Sequence, residues 1–215
     1  PTTISLKNDQ PTLGAFIGLS QNQNGSGFQM KISGAFNRSD IKLTRDDSLN
    51  GTEAGAGTTS LTGYAFGGEV GYGFVVSKDV ILLPYAGLQK VAATRSAYVE
   101  SNDITRPISF NSFSEDIIYA SGGIRSTVKH DDRLSYTISV GLEQDLYSSG
   151  DTYSGTSSIS GLSSFSINAG DRRQTRLNSS ARAIYQIEKN KDFTTSIDLR
   201  TMPYGSQPAV NLMAG

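Results

Sequence analysis

The chain has no cysteine, no tryptophan, one histidine and six prolines in 215 residues. Without cysteine there are no disulfides and no thiolate metal ligands. One histidine, His130, cannot build a His-rich metal site. No apolar run is long enough for a membrane helix. That says nothing against β-strands, which cross a bilayer on weak alternation. Neither charge sign dominates, with 19 basic and 20 acidic residues. There is no broad basic stretch, so nucleic acid is not an expected partner. The N-terminus does not look like a signal peptide, so any leader is expected to be removed or to lie upstream. Neither a Gly-x-Ser-x-Gly elbow nor a phosphate loop occurs. A Ser-His-Asp arrangement would have to centre on His130, which lies beside Asp131 and Asp132 in a turn-like stretch. The chain is therefore not expected to be an enzyme, and no cofactor and no metal are expected.

What is abundant is alternation. From Thr62 onward, Tyr64, Phe66, Val70, Tyr72, Phe74 and Val76 share one parity, while Gly63, Ala65, Gly67, Glu69, Gly71 and Gly73 share the other. A period of two sustained this long is the mark of a strand. One face is aromatic and branched; the other is small, with one carboxylate. Ser77-Lys78-Asp79 then turns the chain into a second long strand. The same unit recurs. Strands are expected over about 12–20, 28–43, 62–76, 80–89, 116–129, 134–147, 175–187, 192–200 and 208–215. Residues 1–10 read as a linker or a short tenth strand. Residues 44–60 are polar and glycine-rich, 96–114 are mostly polar and 148–166 are rich in Ser and Gly, and all three read as long loops.

Connections thus alternate between short and long. Outer-membrane barrels have short periplasmic turns and long extracellular loops. Phe28, Tyr72, Phe74, Tyr136, Tyr185 and Phe193 lie on apolar parities a few residues from short turns. They would form a lipid-facing aromatic girdle. On the opposite parity, Lys31, Glu69, Gln89, Arg125, Lys129, Glu143, Asp145, Arg182, Asp198 and Arg200 would face the lumen. A wall of hydrated charges is the simplest reading of any one of them, since charge facing water costs little there. Centring the last short turn on Asn190 makes Arg182 and Asp198 direct cross-strand partners. Around the Lys78 turn, Glu69 falls opposite Gly87. The fold class expected is all-β, a transmembrane antiparallel β-barrel with nine or ten strands visible.

Several stretches resemble the β-barrel translocator domain of autotransporters, the type V secretion family. These are Leu82-Leu83-Pro84-Tyr85-Ala86-Gly87-Leu88-Gln89, Ser121-Gly122-Gly123-Ile124-Arg125 and Gly141-Leu142-Glu143-Gln144-Asp145. Ser166-Ile167-Asn168-Ala169-Gly170-Asp171, followed by Arg173, resembles the lead-in to that family's last strands. The resemblance implies a full barrel of twelve strands with a helix threading the pore. The first three strands and the helix have no counterpart here, and the chain ends Leu212-Met213-Ala214-Gly215 without a terminal aromatic. An incomplete copy of the domain is expected.

The resemblance further implies anchoring in the outer membrane of Gram-negative bacteria and export of an N-terminal passenger to the cell surface. The implied partners are outer-membrane lipid, the barrel-assembly machinery, periplasmic chaperones and a passenger domain upstream, with the barrel itself monomeric. Two other readings compete. One is a self-contained small porin- or adhesin-like barrel. The other is a soluble extracellular β-sandwich that binds a partner, in which the Ser- and Gly-rich loop at 148–166 could serve as a contact surface.

Overall fold

The computed structural model describes residues 2–7, 12–45, 54–101, 105–158, 163–168, 170–188, 191–205 and 207–215. The strands are β1 (Thr2–Lys7), β2 (Leu13–Ser20), β3 (Gly27–Arg45), β4 (Gly55–Ser77), β5 (Val80–Arg95), β6 (Tyr98–Val99) and β7 (Ile108–Phe110). They continue with β8 (Phe113–Lys129), β9 (Leu134–Gly150), β10 (Tyr153–Ser157), β11 (Ser164–Ile167), β12 (Thr175–Glu188), β13 (Lys191–Thr201) and β14 (Pro208–Ala214). No helix occurs among the described residues.

Ten strands form one antiparallel sheet in the order β1-β3-β4-β5-β8-β9-β12-β13-β14, with β2 also on β3. β1 pairs with the Asp40–Arg45 end of β3, and β2 pairs with its Gln29–Phe36 end. They lie end to end along one edge, so residues 2–7 extend the first ladder position instead of adding a tenth.

The expected closed barrel is not what forms. The sheet is open and not strongly curled. β14 pairs with β13 alone, and the β1/β2 edge pairs with β3 alone. The physical reason is directional. An antiparallel sheet with an odd number of ladder positions leaves its two edge strands parallel, so they cannot close antiparallel, and single-chain bacterial barrels have an even count.

The faces explain why the strands are where they are. On one face of β3, Phe28, Met30, Ile32 and Phe36 alternate with Gln29, Lys31 and Ser33 on the other. From Phe28 to Phe36 is about nine residues, the length a tilted strand needs to cross hydrocarbon. Beyond Phe36 the faces exchange character. Arg38, Asp40 and Lys42 take over the formerly apolar face, while Ile41 and Leu43 appear on the formerly polar one. Their neighbours in β4 do the same, with Ser60 opposite Asp40 and Leu61 opposite Ser39. No second layer covers the apolar band: Phe66 is 61% exposed, Ile138 55% and Leu212 74%. A soluble chain of this size would bury about 70% of its surface and could not leave such a band in water.

The exchange of faces has a structural cause. The stretches expected to be long loops contribute a second sheet, in the order β11-β10-β7-β6. It is tied to the far end of the first by Ser101, whose N–H donates to the Ala56 carbonyl at 2.8 Å. The loop expected over 44–60 is also shorter, because β3 continues to Arg45 and β4 starts at Gly55. Its middle, 46–53, lies outside the described residues. Strands of two to five residues such as β6 and β10 carry too little alternation to be read from sequence.

Candidate functional site: a charge cluster on the polar face

The polar parity of β8, β9, β12 and β13 converges on one group of charges. Arg176 stands opposite Glu143 in the β9–β12 ladder. Its Nε donates to Glu143 Oε2 at 3.2 Å, and its Nη1 and Nη2 donate to Asp145 Oδ2 and Oδ1 at 2.9 and 2.6 Å. This is a forked guanidinium–carboxylate pair, the strongest ionic geometry available to side chains. Arg200 Nη2 donates to the same Glu143 Oε2 at 2.6 Å, and Asn178 Nδ2 donates to Oε1 at 3.3 Å. Glu143 and Arg176 are both buried.

A second tier continues the network. Arg172 Nε donates to Asp145 Oδ2 at 2.7 Å and its Nη1 donates to Glu115 Oε1 at 2.9 Å. The Tyr204 hydroxyl donates to that same Glu115 oxygen at 2.9 Å. The Tyr119 ring lies under two guanidiniums, 5.5 Å from Arg176 and 5.7 Å from Arg200, and its hydroxyl donates to Gln89 Oε1. Three arginines meet three carboxylates, so the cluster is neutral as a whole.

A separate pair lies across β4, β5 and β8. Arg125 reaches Glu69 at 3.2 Å and lies 4.9 Å over the Tyr85 ring. Glu69 faces Gly87 on one side and Lys31 on the other. Tyr85 lies across Gly123 and Gly141, which face each other in the β8–β9 ladder. Its hydroxyl sits 2.7 and 2.6 Å from where their Cβ atoms would stand, so only glycine leaves room for the ring there.

Of the residues the sequence puts on this face, Glu143, Asp145 and Arg200 meet in the cluster, Gln89 touches its edge through Tyr119, and Glu69 pairs with Arg125. Lys31 lies over the Phe16 ring at 5.2 Å. Lys129 ends β8, where its N–H donates to the Asp79 carbonyl at 2.8 Å. Arg182 and Asp198 are not partners. Arg182 faces Ser196, and Asp198 faces Ser180. The ladder starts at Glu188–Lys191 and shifts at a bulge between Gln186 and Glu188. The innermost pair is centred half a residue before Asn190 and the bulge adds another half, so the pairs beyond it lie two residues from that expectation.

Arg176, Arg172, Glu115, Tyr119 and Tyr204 are the members that sequence reasoning missed. For Arg176 the signal was present. The alternation of Asn178, Ser180 and Arg182, carried back two residues, places it on this face.

The six aromatics near short turns share the other face. Phe28 pairs with Tyr72, and Tyr185 with Phe193. Tyr136 stands opposite Val128 and Ala183, and Phe74 opposite Leu82. All six are between 40 and 52% exposed. The single histidine, His130, meets the Tyr136 ring edge-on at 6.4 Å. Among the described residues, no cluster of three metal-ligating side chains occurs.

The autotransporter β-domain family model matches residues 4–198. The chain belongs to that family. Among solved structures, the fold is similar to the translocator domain of autotransporter NalP from Neisseria meningitidis, with a TM-score of 0.67 and 17% identity. The match covers 95% of this chain and 63% of that one. No curated protein matches. Family membership places this chain in the bacterial outer membrane, and the chain spans less than two thirds of the length of that solved relative.

Proposed function

We propose that this chain is the membrane-embedded part of an autotransporter that carries an N-terminal passenger to the cell surface. The observation that supports it is the uncovered apolar band, whose length suits hydrocarbon and whose turn-side margin carries paired aromatics. In this reading Phe28, Tyr72, Phe74, Tyr136, Tyr185 and Phe193 sit at the lipid–water boundary on the periplasmic side. Lys31, Glu69, Gln89, Arg125, Lys129, Glu143, Asp145, Arg182, Asp198 and Arg200 line a hydrated surface along which a passing segment moves. Glu69, Arg125, Glu143, Asp145 and Arg200 are engaged in ion pairs, so that part of the surface offers polar groups without strong net attraction, which suits transit better than tight binding.

The partners follow from the chemistry. Backbone groups left unpaired at β14 and at the β1/β2 edge cannot face hydrocarbon, where each costs several kcal/mol. Insertion therefore calls for the barrel-assembly machinery and for periplasmic chaperones that shield the apolar band beforehand. The passenger precedes this domain in the chain, residues 1–215 act as one unit, and the unit works as a monomer.

The test places an epitope N-terminal to this domain in the full-length protein and expresses it in Gram-negative cells. Antibody should reach the epitope on intact cells, and removal of residues 1–215 should leave it accessible only after the outer membrane is breached. Equal surface labelling without the domain would refute the proposal.

A further inference from the structure

The second sheet roofs a cavity of about 600 Å³ against the far ends of β3, β4, β5 and β8. That volume falls within the range of small-molecule sites. Its walls include Ile41, Leu43 and Leu61 from the large sheet and Ile108, Phe110 and Phe165 from the small one. The small-sheet side is a packed aromatic group. Phe110 stacks on Tyr98 at 4.6 Å and meets Tyr153 and Phe165 at 5.7 and 5.6 Å.

One cation lies in this apolar wall. The Arg95 guanidinium lies over two rings, 5.1 Å from the centroid of Tyr98 and 5.1 Å from that of Tyr153. One arm donates to the Asn111 carbonyl. Its Nε is buried and has no hydrogen-bond partner. Among the described residues no carboxylate lies within ion-pair distance of it. Glu100, the other charged lining residue, is buried, and its Oε2 accepts the Ile108 N–H at 3.1 Å. Burial also pushes the Tyr98 phenol well above its usual range, so it stays neutral.

We propose that this cavity is a binding site for a small amphipathic anion, an aryl or alkyl carboxylate whose apolar body fills the space between the sheets and whose carboxylate meets Arg95. A guanidinium close to two rings is weakly hydrated and carries more N–H donors than the one that meets the Asn111 carbonyl, so it suits an anionic partner. The charge selects the anion, and the aromatic wall selects a flat or flexible apolar body. This site is separate from the charge cluster and does not depend on the export reading.

The test titrates detergent-purified protein with 2-naphthoate, and in parallel with uncharged 2-naphthamide, each corrected against protein-free detergent. Naphthoate should saturate one site at least tenfold more tightly than the amide. Arg95→Gln should remove that preference, and Arg95→Lys should keep part of it. Leu61→Trp, which fills the cavity, should abolish binding of both ligands. Thermal unfolding of each variant checks that it is folded. The wild-type comparison of the two ligands needs no variant at all. Equal affinity for naphthoate and naphthamide, no saturable binding above the detergent blank, or naphthoate binding unchanged in folded Leu61→Trp would each overturn the proposal.

Discussion

Arg176 and Asp145 form a two-armed ion pair, with both guanidinium arms on both carboxylate oxygens at 2.9 and 2.6 Å. Their side chains are 1% and 3% exposed. Breaking a buried pair by removing one partner leaves a charge without compensation, which costs about 3–5 kcal/mol. Arg176→Met should therefore lower unfolding stability in detergent by about that amount, because Asp145 keeps only Arg172 and Glu143 keeps only Arg200 and Asn178. Arg176→Lys should recover less than half of it, since an ammonium cannot fork. Urea melts of the three proteins in one detergent decide this. A Met variant as stable as wild type would show that the cluster contributes nothing to folding.

Glu69 and Arg125 are an ion pair of another kind. At 29% and 33% exposure, water competes for both groups. Such pairs contribute about 0–1 kcal/mol. Glu69→Gln should leave the melting curve nearly unchanged. A loss as large as that of Arg176→Met would mean that Glu69 is far less hydrated than its geometry shows.

The β12–β13 register admits a covalent test, because the chain contains no cysteine to interfere. Arg182 faces Ser196. Directly opposed strand residues have Cβ atoms about 4.5–5.5 Å apart, near disulfide reach. Arg182→Cys with Ser196→Cys should oxidise readily. Arg182→Cys with Asp198→Cys should remain reduced under the same treatment. Cross-linking of the second pair alone would restore the register centred on Asn190.

The turn between β8 and β9 should respond to acid. Asp131 Oδ1 accepts the N–H groups of Arg133 at 2.7 Å and Leu134 at 2.8 Å. Those backbone hydrogen bonds, Arg133's first, hold its carboxyl below the usual carboxylate range. A depressed carboxyl stabilises the fold above its unfolded value of about 3.9, and that stability is lost as pH falls through the folded value. Protection of the Arg133 and Leu134 amides, measured relative to their intrinsic exchange rates, should fall only below about pH 4. Asp131→Asn should remove that fall while keeping the turn. Protection that declines evenly from neutral pH downward would exclude Asp131 as the cause.

How far the sequence carries this account depends on which physical signal a residue leaves. β4 was plain because its even positions from Tyr64 to Phe74 are apolar except Gly68, and Glu69 falls opposite Gly87 because the close of the hairpin at Ser77–Val80 and the register shift at Val75–Ser77 together match a centre on Lys78. Arg182 and Asp198 were mispaired because one bulge at Gln186–Glu188 slides the ladder, and bulges leave no periodic mark. Arg176 was overlooked although it falls inside the strand expected over 175–187, because the parity of that strand was followed only from Leu177 onward. The second sheet was hidden by strands too short to alternate, and an open sheet rather than a closed barrel followed from β1 lying in line with β2. The resemblance to the family, by contrast, was carried by short stretches such as Leu82–Gln89, which lie in a strand paired on both sides.

The absence of tryptophan allows the most direct measurement. Ile138 points from the apolar face of β9 and is 55% exposed, whereas Arg182 lies on the polar face of β12. Each is replaced singly by tryptophan, and the folded proteins are reconstituted into vesicles containing lipids brominated on their acyl chains. Strong quenching of Ile138→Trp with little quenching of Arg182→Trp is the predicted result. The reverse order, or equal quenching at both positions, would contradict the assignment of the apolar face to lipid and the account that rests on it.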